Sequence, residues 1–168
     1  LLHSVSKTLT TMMIGIAIGE DRLDPTTAIR TYLPELVSPA WDGVTLQHVL
    51  DMAVGIDTEE HYENADSMYW HYAEHVGYYD RSTPGRGVLP FVLEHLVRPD
   101  TPPGHRFNYA SYLTNLLPIC LERVYGRPAV ELYEERLFRR VGPEGPATLN
   151  CDPSGAPITE GQLSLRLR

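Results

Sequence analysis

Cysteine is nearly missing from this chain, with Cys120 and Cys151 its only two. That count excludes a disulfide-dense scaffold, and no C-x-x-C pair offers a redox or metal-binding motif. Cys120 falls on an apolar helical stripe and reads as a buried thiol, with a bridge to Cys151 left open. Basic residues are also short: 14 Lys and Arg stand against 22 Asp and Glu, for a net charge of −8 with neutral histidines. Phosphate neutralisation and attraction to anionic lipid both need the opposite sign, so neither nucleic acid nor a membrane surface is an expected partner. A helical nucleic-acid binder is disfavoured on the same ground, because no basic stripe occurs. Long apolar runs are missing too. Met12 to Ile18, the most apolar stretch, falls far short of the ~20 residues that span a bilayer. No basic region precedes an apolar one, so no secretory signal is visible and no compartment is assigned beyond a slight preference for the cytoplasm. There is no repeat or low-complexity tract.

What is present suits a soluble globular core: 42% of residues are apolar and 21% charged, both ordinary values. The spacing of Leu9, Met12, Met13 and Ile16 predicts a helix from Ser4 to Gly19. Asp24-Pro25 reads as a cap opening a short helix through Ala28, Ile29 and Tyr32, closed by Pro34. Thr45 could cap a helix carrying Leu46, Val49, Leu50 and Ala53, with Gly55 as its breaker. Residues 57–87 are first acidic, then aromatic, and predict irregular structure around a short helix from Met68 to His75. Val88 to Val97 returns to helical spacing, and Pro99 to Gly104 is a loop. Ala110 to Tyr125 is the clearest helix, kinked at Pro118 and ended by Gly126. Another starts at Pro128 and runs to Arg139 or Arg140, after which the chain is turn-rich.

Chemistry concentrates near the start, in His3-Ser4-Val5-Ser6-Lys7-Thr8. Three residues make nearly one helical turn, so Ser4 and Lys7 share a face. A serine hydroxyl is a poor nucleophile until a base takes its proton, and a buried lysine at a helix start can help in that task. The Ser4 backbone N–H at such a helix start can also face a developing oxyanion. S-x-x-K alone has little specificity, since solvated residues in a first helical turn match it as well. Downstream lies Pro103-Gly104-His105-Arg106-Phe107-Asn108-Tyr109-Ala110-Ser111, a rigid loop that delivers Tyr109 and Ser111 just before a strong helix.

Together these segments resemble the β-lactamase-like serine hydrolases, whose second element is Tyr-x-Asn or Tyr-x-Ser after a P-G-x-x-F-x stretch. Leu50-Asp51-Met52-Ala53-Val54-Gly55-Ile56 is similar to that family's L-L-x-M-x-S-G-[IL] segment, except for Val54 where Ser is usual. The order is that of the branch containing class C β-lactamases, EstB-type esterases and 6-aminohexanoate-dimer hydrolases. The resemblance implies an α+β fold of the β-lactamase/transpeptidase type. Residues 1–168 would be part of one such domain, cut at both ends, mainly its helical portion, with most of the β-sheet outside it. It further implies a serine hydrolase acting on a small-molecule ester or amide through an acyl-serine, without metal or organic cofactor. Ser4 would be the nucleophile, Lys7 its proton-network partner, and Tyr109 the general base and acid. Ser111 would hydrogen-bond Lys7 or the substrate. The third element of the family, a K-T-G or H-x-G triad on a strand, does not occur before Arg168.

Other features have plainer readings. His71 and His75 at i and i+4 could hold zinc on a helix face, yet no third ligand is visible and partly exposed histidines are expected instead. His3 beside Ser4 points elsewhere on a helix. The aromatic residues from Tyr62 to Tyr79 could wall a substrate pocket or simply pack an insertion. Asp57, Glu59, Glu60 and Glu63 read as a solvated face. The competing functional class is a degenerate, non-catalytic binding module. Convergence of the Tyr109 oxygen, Lys7 nitrogen and Ser4 oxygen separates the two.

Overall fold

A computed structural model of the chain describes residues 1–58, 60–78 and 85–166. The readings for Glu59, Tyr79 and the Leu167-Arg168 end lie outside these. A 3₁₀ turn at His3–Val5 runs straight into α1, Ser6–Gly19. Its second half, from Met12 on, is apolar all round, so sequence period alone does not fix its inward face. The buried line is Ser6, Thr10, Met13, Ile14 and Ala17, while Met12 lies outside. α1 packs on α7, Leu116–Tyr125, and the buried Thr10 and Tyr133 hydroxyls join at 2.9 Å.

Two expected boundaries are corrected. Asp24 does not cap a helix. Its carboxylate accepts from the Thr26 N–H at 2.8 Å and closes a local turn, in which the side chain competes with helical bonding. Ala28 then stays extended and bridges Thr45, so α2 covers only Ile29–Tyr32. Helix α3 is Leu46–Leu50, started by a Thr45–His48 capping box. It ends well before Gly55, because Met52 already takes a positive φ of 50°.

α4, Met68–His75, and α5, Val88–His95, fall where expected. The helix expected over Ala110 to Tyr125 is broken in two, α6 Ser111–Thr114 and α7, at Asn115. A proline ring clashes with the carbonyl four residues earlier, here that of Thr114, which places the break just after Thr114 rather than at Pro118 itself. Beyond Gly126, α8 (Ala129–Tyr133), a π-helical stretch (Glu134–Phe138) and α9 (Arg139–Val141) run on continuously. The described residues add one antiparallel ladder, β1 Thr148–Leu149 against β2 Leu163–Ser164. Trp41, Tyr72, Phe91 and Tyr112 are fully buried in a core shared by the helices. Among the described residues no helix is long and apolar enough to cross a membrane. Both cysteines are free thiols, Cys120 buried and Cys151 exposed.

The feature that positions the site is a clamp between residues 52–58 and 99–108. Gly55 and Ile56 run antiparallel to the loop: the Asp100 and Thr101 N–H groups donate to the Gly55 carbonyl at 2.8 and 3.1 Å. Gly104 donates to the Ala53 carbonyl at 2.7 Å and Asn108 to that of Met52 at 2.8 Å. At Gly55 φ is +73°, and an added Cβ would lie 2.1 Å from the Thr101 carbonyl oxygen. Gly126 has a similar φ of +65° but open space around it. Gly126→Ala should therefore cost only the left-handed penalty of about 1–2 kcal/mol. Gly55→Ala adds a backbone collision and should exceed about 3 kcal/mol. Urea denaturation of both variants checks the order, and equal losses would contradict the clamp.

Candidate active site

Ser4 sits exposed on the 3₁₀ turn, one residue after His3, whose φ of 47° is unusual for a side-chain-bearing residue. The turn feeds α1, and the three-residue spacing brings Lys7 Nζ to 3.1 Å from Ser4 Oγ. From the other side, the clamped loop delivers Tyr109, whose hydroxyl donates to Ser4 Oγ at 2.7 Å. The loop's last residue before the tyrosine is anchored as well. Asn108 Nδ2 donates to the Thr58 carbonyl at 2.8 Å and to its hydroxyl at 2.6 Å. Ser111, buried at the start of α6, accepts from Lys7 Nζ at 3.2 Å. All four residues singled out by the motifs thus converge.

The third acceptor of Lys7 carries no motif. Its ammonium donates to the backbone carbonyl of Glu160 at 2.7 Å, so three acceptors take up its three N–H groups. Asn115 fixes that carbonyl. Its side-chain oxygen accepts from the Thr159 and Glu160 N–H groups at 2.7 and 3.0 Å. Asn115 sits at the break between α6 and α7, ahead of Pro118. The Glu160 carboxyl itself is buried, accepting from the Tyr72 hydroxyl at 3.2 Å and from that of Tyr78. Burial pushes its pKa up, against the lowering effects of the tyrosine hydroxyls and Lys7.

Glu60 is the main correction at the site, because it is no solvated acid. Its carboxylate accepts from the Ser111 hydroxyl at 2.7 Å and from the Ser111 N–H at 2.5 Å. Tyr62 also donates to it. The Ser111 proton therefore points to Glu60, and its oxygen lone pair is turned to Lys7. Asp57 and Glu63 are exposed, as expected. The aromatic segment divides between core packing and the wall of a cavity. Tyr72 packs in the core, whereas Tyr69 and Tyr78 join Leu1 and His3 in walling a cavity of about 710 Å³ beside the Ser4 turn.

Electrostatics single out Tyr109. Burial alone would raise its phenol, but the Lys7 ammonium and the hydroxyls of Ser4 and Ser111 outweigh that and hold it below the ordinary value. The Lys7 nitrogen lies 5.0 Å from the ring centroid.

A family model described as Beta-lactamase matches residues 1–154. The 6-aminohexanoate-dimer hydrolase of Paenarthrobacter ureafaciens is 32% identical over 168 residues, all of this chain and 42% of that relative. Among solved structures, a Bacillus anthracis protein provisionally assigned as a 6-aminohexanoate-dimer hydrolase superposes with a TM-score of 0.82. It is 22% identical, and the match covers 98% of this chain and 43% of that one. A D-stereospecific amidohydrolase from a Streptomyces species gives a TM-score of 0.65 at 23% identity, over 96% of this chain and 55% of that one. These likenesses establish a fold of the β-lactamase/transpeptidase type, of which the chain spans less than half the length of its curated relative.

Removing the ammonium should leave only the Ser4 and Ser111 hydroxyls to offset the burial of Tyr109. In Lys7→Met, its ionisation midpoint should move up. Tyrosinate absorbance, with Tyr109→Phe subtracted as the blank, reads that midpoint. No movement would mean that Lys7 does not set it.

Proposed function

The chain belongs to the beta-lactamase family, and from that premise we propose that it carries the nucleophile of a serine hydrolase that opens ester or amide bonds. The observation that carries this reading is the approach of two groups to one hydroxyl oxygen: Tyr109 at 2.7 Å and Lys7 at 3.1 Å from Ser4 Oγ. A binding module has no need for a nucleophile held between a phenol and an ammonium.

In the proposed reaction Tyr109 acts as phenolate, and the 2.7 Å contact then runs the other way, with Ser4 donating. As Ser4 Oγ attacks the carbonyl carbon, its proton passes to Tyr109. Negative charge grows on the carbonyl oxygen, facing the Ser4 backbone N–H at the helix start. Tyr109 next protonates the leaving nitrogen or oxygen, and the acyl group remains on Ser4. A water molecule gives a proton to Tyr109 and attacks the ester. Ser4 regains that proton as the acid leaves. Lys7 keeps its charge throughout and stabilises the phenolate between transfers. Ser111, turned by Glu60, keeps Lys7 aligned. The relative that hydrolyses the 6-aminohexanoate dimer supports a small-molecule substrate.

The test uses the protein that carries this chain, assayed with a p-nitrophenyl ester. Ser4→Ala should lose at least about 10³-fold in kcat/KM, and Tyr109→Phe about 10²–10⁴-fold, the span of a general base. Ser4→Ala turning over ester at the wild-type rate would sink the proposal. The wild-type rate should also rise with pH through the lowered Tyr109 ionisation and level off above it, since only the phenolate accepts the proton.

A further inference from the structure

Imidazole and carboxylate groups converge at a second place, where the C-terminal ends of α4 and α5 meet. His75 ends α4, and Glu94 and His95 end α5. One ligand-capable atom from each lies within 4.8 Å of the other two. His75 Nε2 stands 3.8 Å from Glu94 Oε2, and the His75 and His95 ring centroids are 5.4 Å apart.

The ring orientations suit ligation. His75 Nδ1 lies 2.9 Å from the His71 carbonyl, and a carbonyl there requires that Nδ1 carry the proton. Nε2 then presents its lone pair toward Glu94, the arrangement that fixes a metal-binding imidazole. The His95 ring stacks on Phe91 at 4.7 Å, which restricts its rotation. Backbone contacts set how closely Gly85 and Gly87 approach the end of α4. Gly87 donates to the His75 carbonyl at 3.0 Å, and a Cβ on Gly85 would lie 2.2 Å from that same oxygen.

A cation already marks the spot. Arg86 spans both carboxylate oxygens of Glu94 and comes within 3.5 Å of His75 Nε2. Its side chain is 59% exposed and that of Glu94 is 40% exposed. An ion pair so open to water competes weakly, by about fivefold or less. Two imidazole nitrogens and one carboxylate oxygen form a donor set that suits zinc, copper or nickel and is poor for magnesium or calcium. Ligand atoms around zinc stand roughly 3.4 Å apart for bonds of about 2.1 Å, so rotations of side-chain scale close this set.

We propose that His75, Glu94 and His95 form a binding site for a divalent transition-metal ion that displaces Arg86 and staples α4 to α5, with water completing the coordination. The i and i+4 histidines visible in the sequence contribute differently from that pattern: His75 is a ligand, while His71 supplies only its carbonyl.

Titration of the full chain with zinc chloride in an isothermal calorimeter, after chelator treatment, tests the site. One saturable equivalent is expected. His95→Gln and Glu94→Gln should each weaken it by about tenfold or more. The exposed Glu94 keeps the test valid if the stacked His95 proves necessary for folding. Arg86→Ala should tighten binding by up to about fivefold, an effect that a misfolded variant cannot imitate. His71→Ala should stay within twofold of wild type. The proposal is overturned if wild type and Arg86→Ala both bind no zinc saturably. It is equally overturned if Glu94→Gln and His95→Gln bind as wild type does, which would place the ion elsewhere.

Discussion

Three acceptors share the ammonium of Lys7, and they come from three distant parts of the chain: Ser4, Ser111 and the Glu160 carbonyl. Each would be costly to leave unpaired where it is buried or half-buried. Each also needs its own support. Ser111 is held through its N–H and its hydroxyl by Glu60, and the Glu160 backbone by Asn115. One cation thereby fixes the distance between the start of α1, the start of α6 and the segment before β2. Ser4 stands where these supports meet, so its geometry follows from the packing of the helices.

Tyr109 reaches that point by a different route. Backbone hydrogen bonds from residues 52–58 hold the loop before it, and Asn108 is tied to Thr58 by two bonds. This gives the segment around Met52 and Gly55 a physical purpose. It sets where the Tyr109 phenol lies. Gly55 is the one residue type that lets the loop backbone approach so closely at that φ. The buried Val54, where the family usually has Ser, packs into the core behind the clamp.

The convergence of Ser4, Lys7, Tyr109 and Ser111 was legible in the sequence because it depends on short spacings and on punctuation by proline and glycine. The same holds for α4, α5 and the Thr45 cap. Glu60 and Glu160 left no such trace. Glu60 belongs to an acidic run that looks solvated, and only the tertiary fold brings Ser111 to it across 51 positions. Glu160 contributes a backbone carbonyl, which any residue could supply. Asn115 left no trace either, since the Thr159 and Glu160 N–H groups it accepts from lie 44 and 45 positions away. The inward face of α1 was not legible, because the uniformly apolar half from Met12 on carries little periodic signal. The metal cluster was only half visible, since its ligands lie on two helices and sequence spacing can show pairs on one.

The central claim is that Ser4 becomes covalently acylated because Tyr109 and Lys7 activate it. Mass spectrometry of the protein after brief incubation with a fluorophosphonate, followed by proteolysis, tests it most directly. The account predicts one adduct, on the peptide containing Ser4, that is absent or strongly delayed in Tyr109→Phe. An adduct on another serine, or one that forms at the same rate without the Tyr109 hydroxyl, would contradict it.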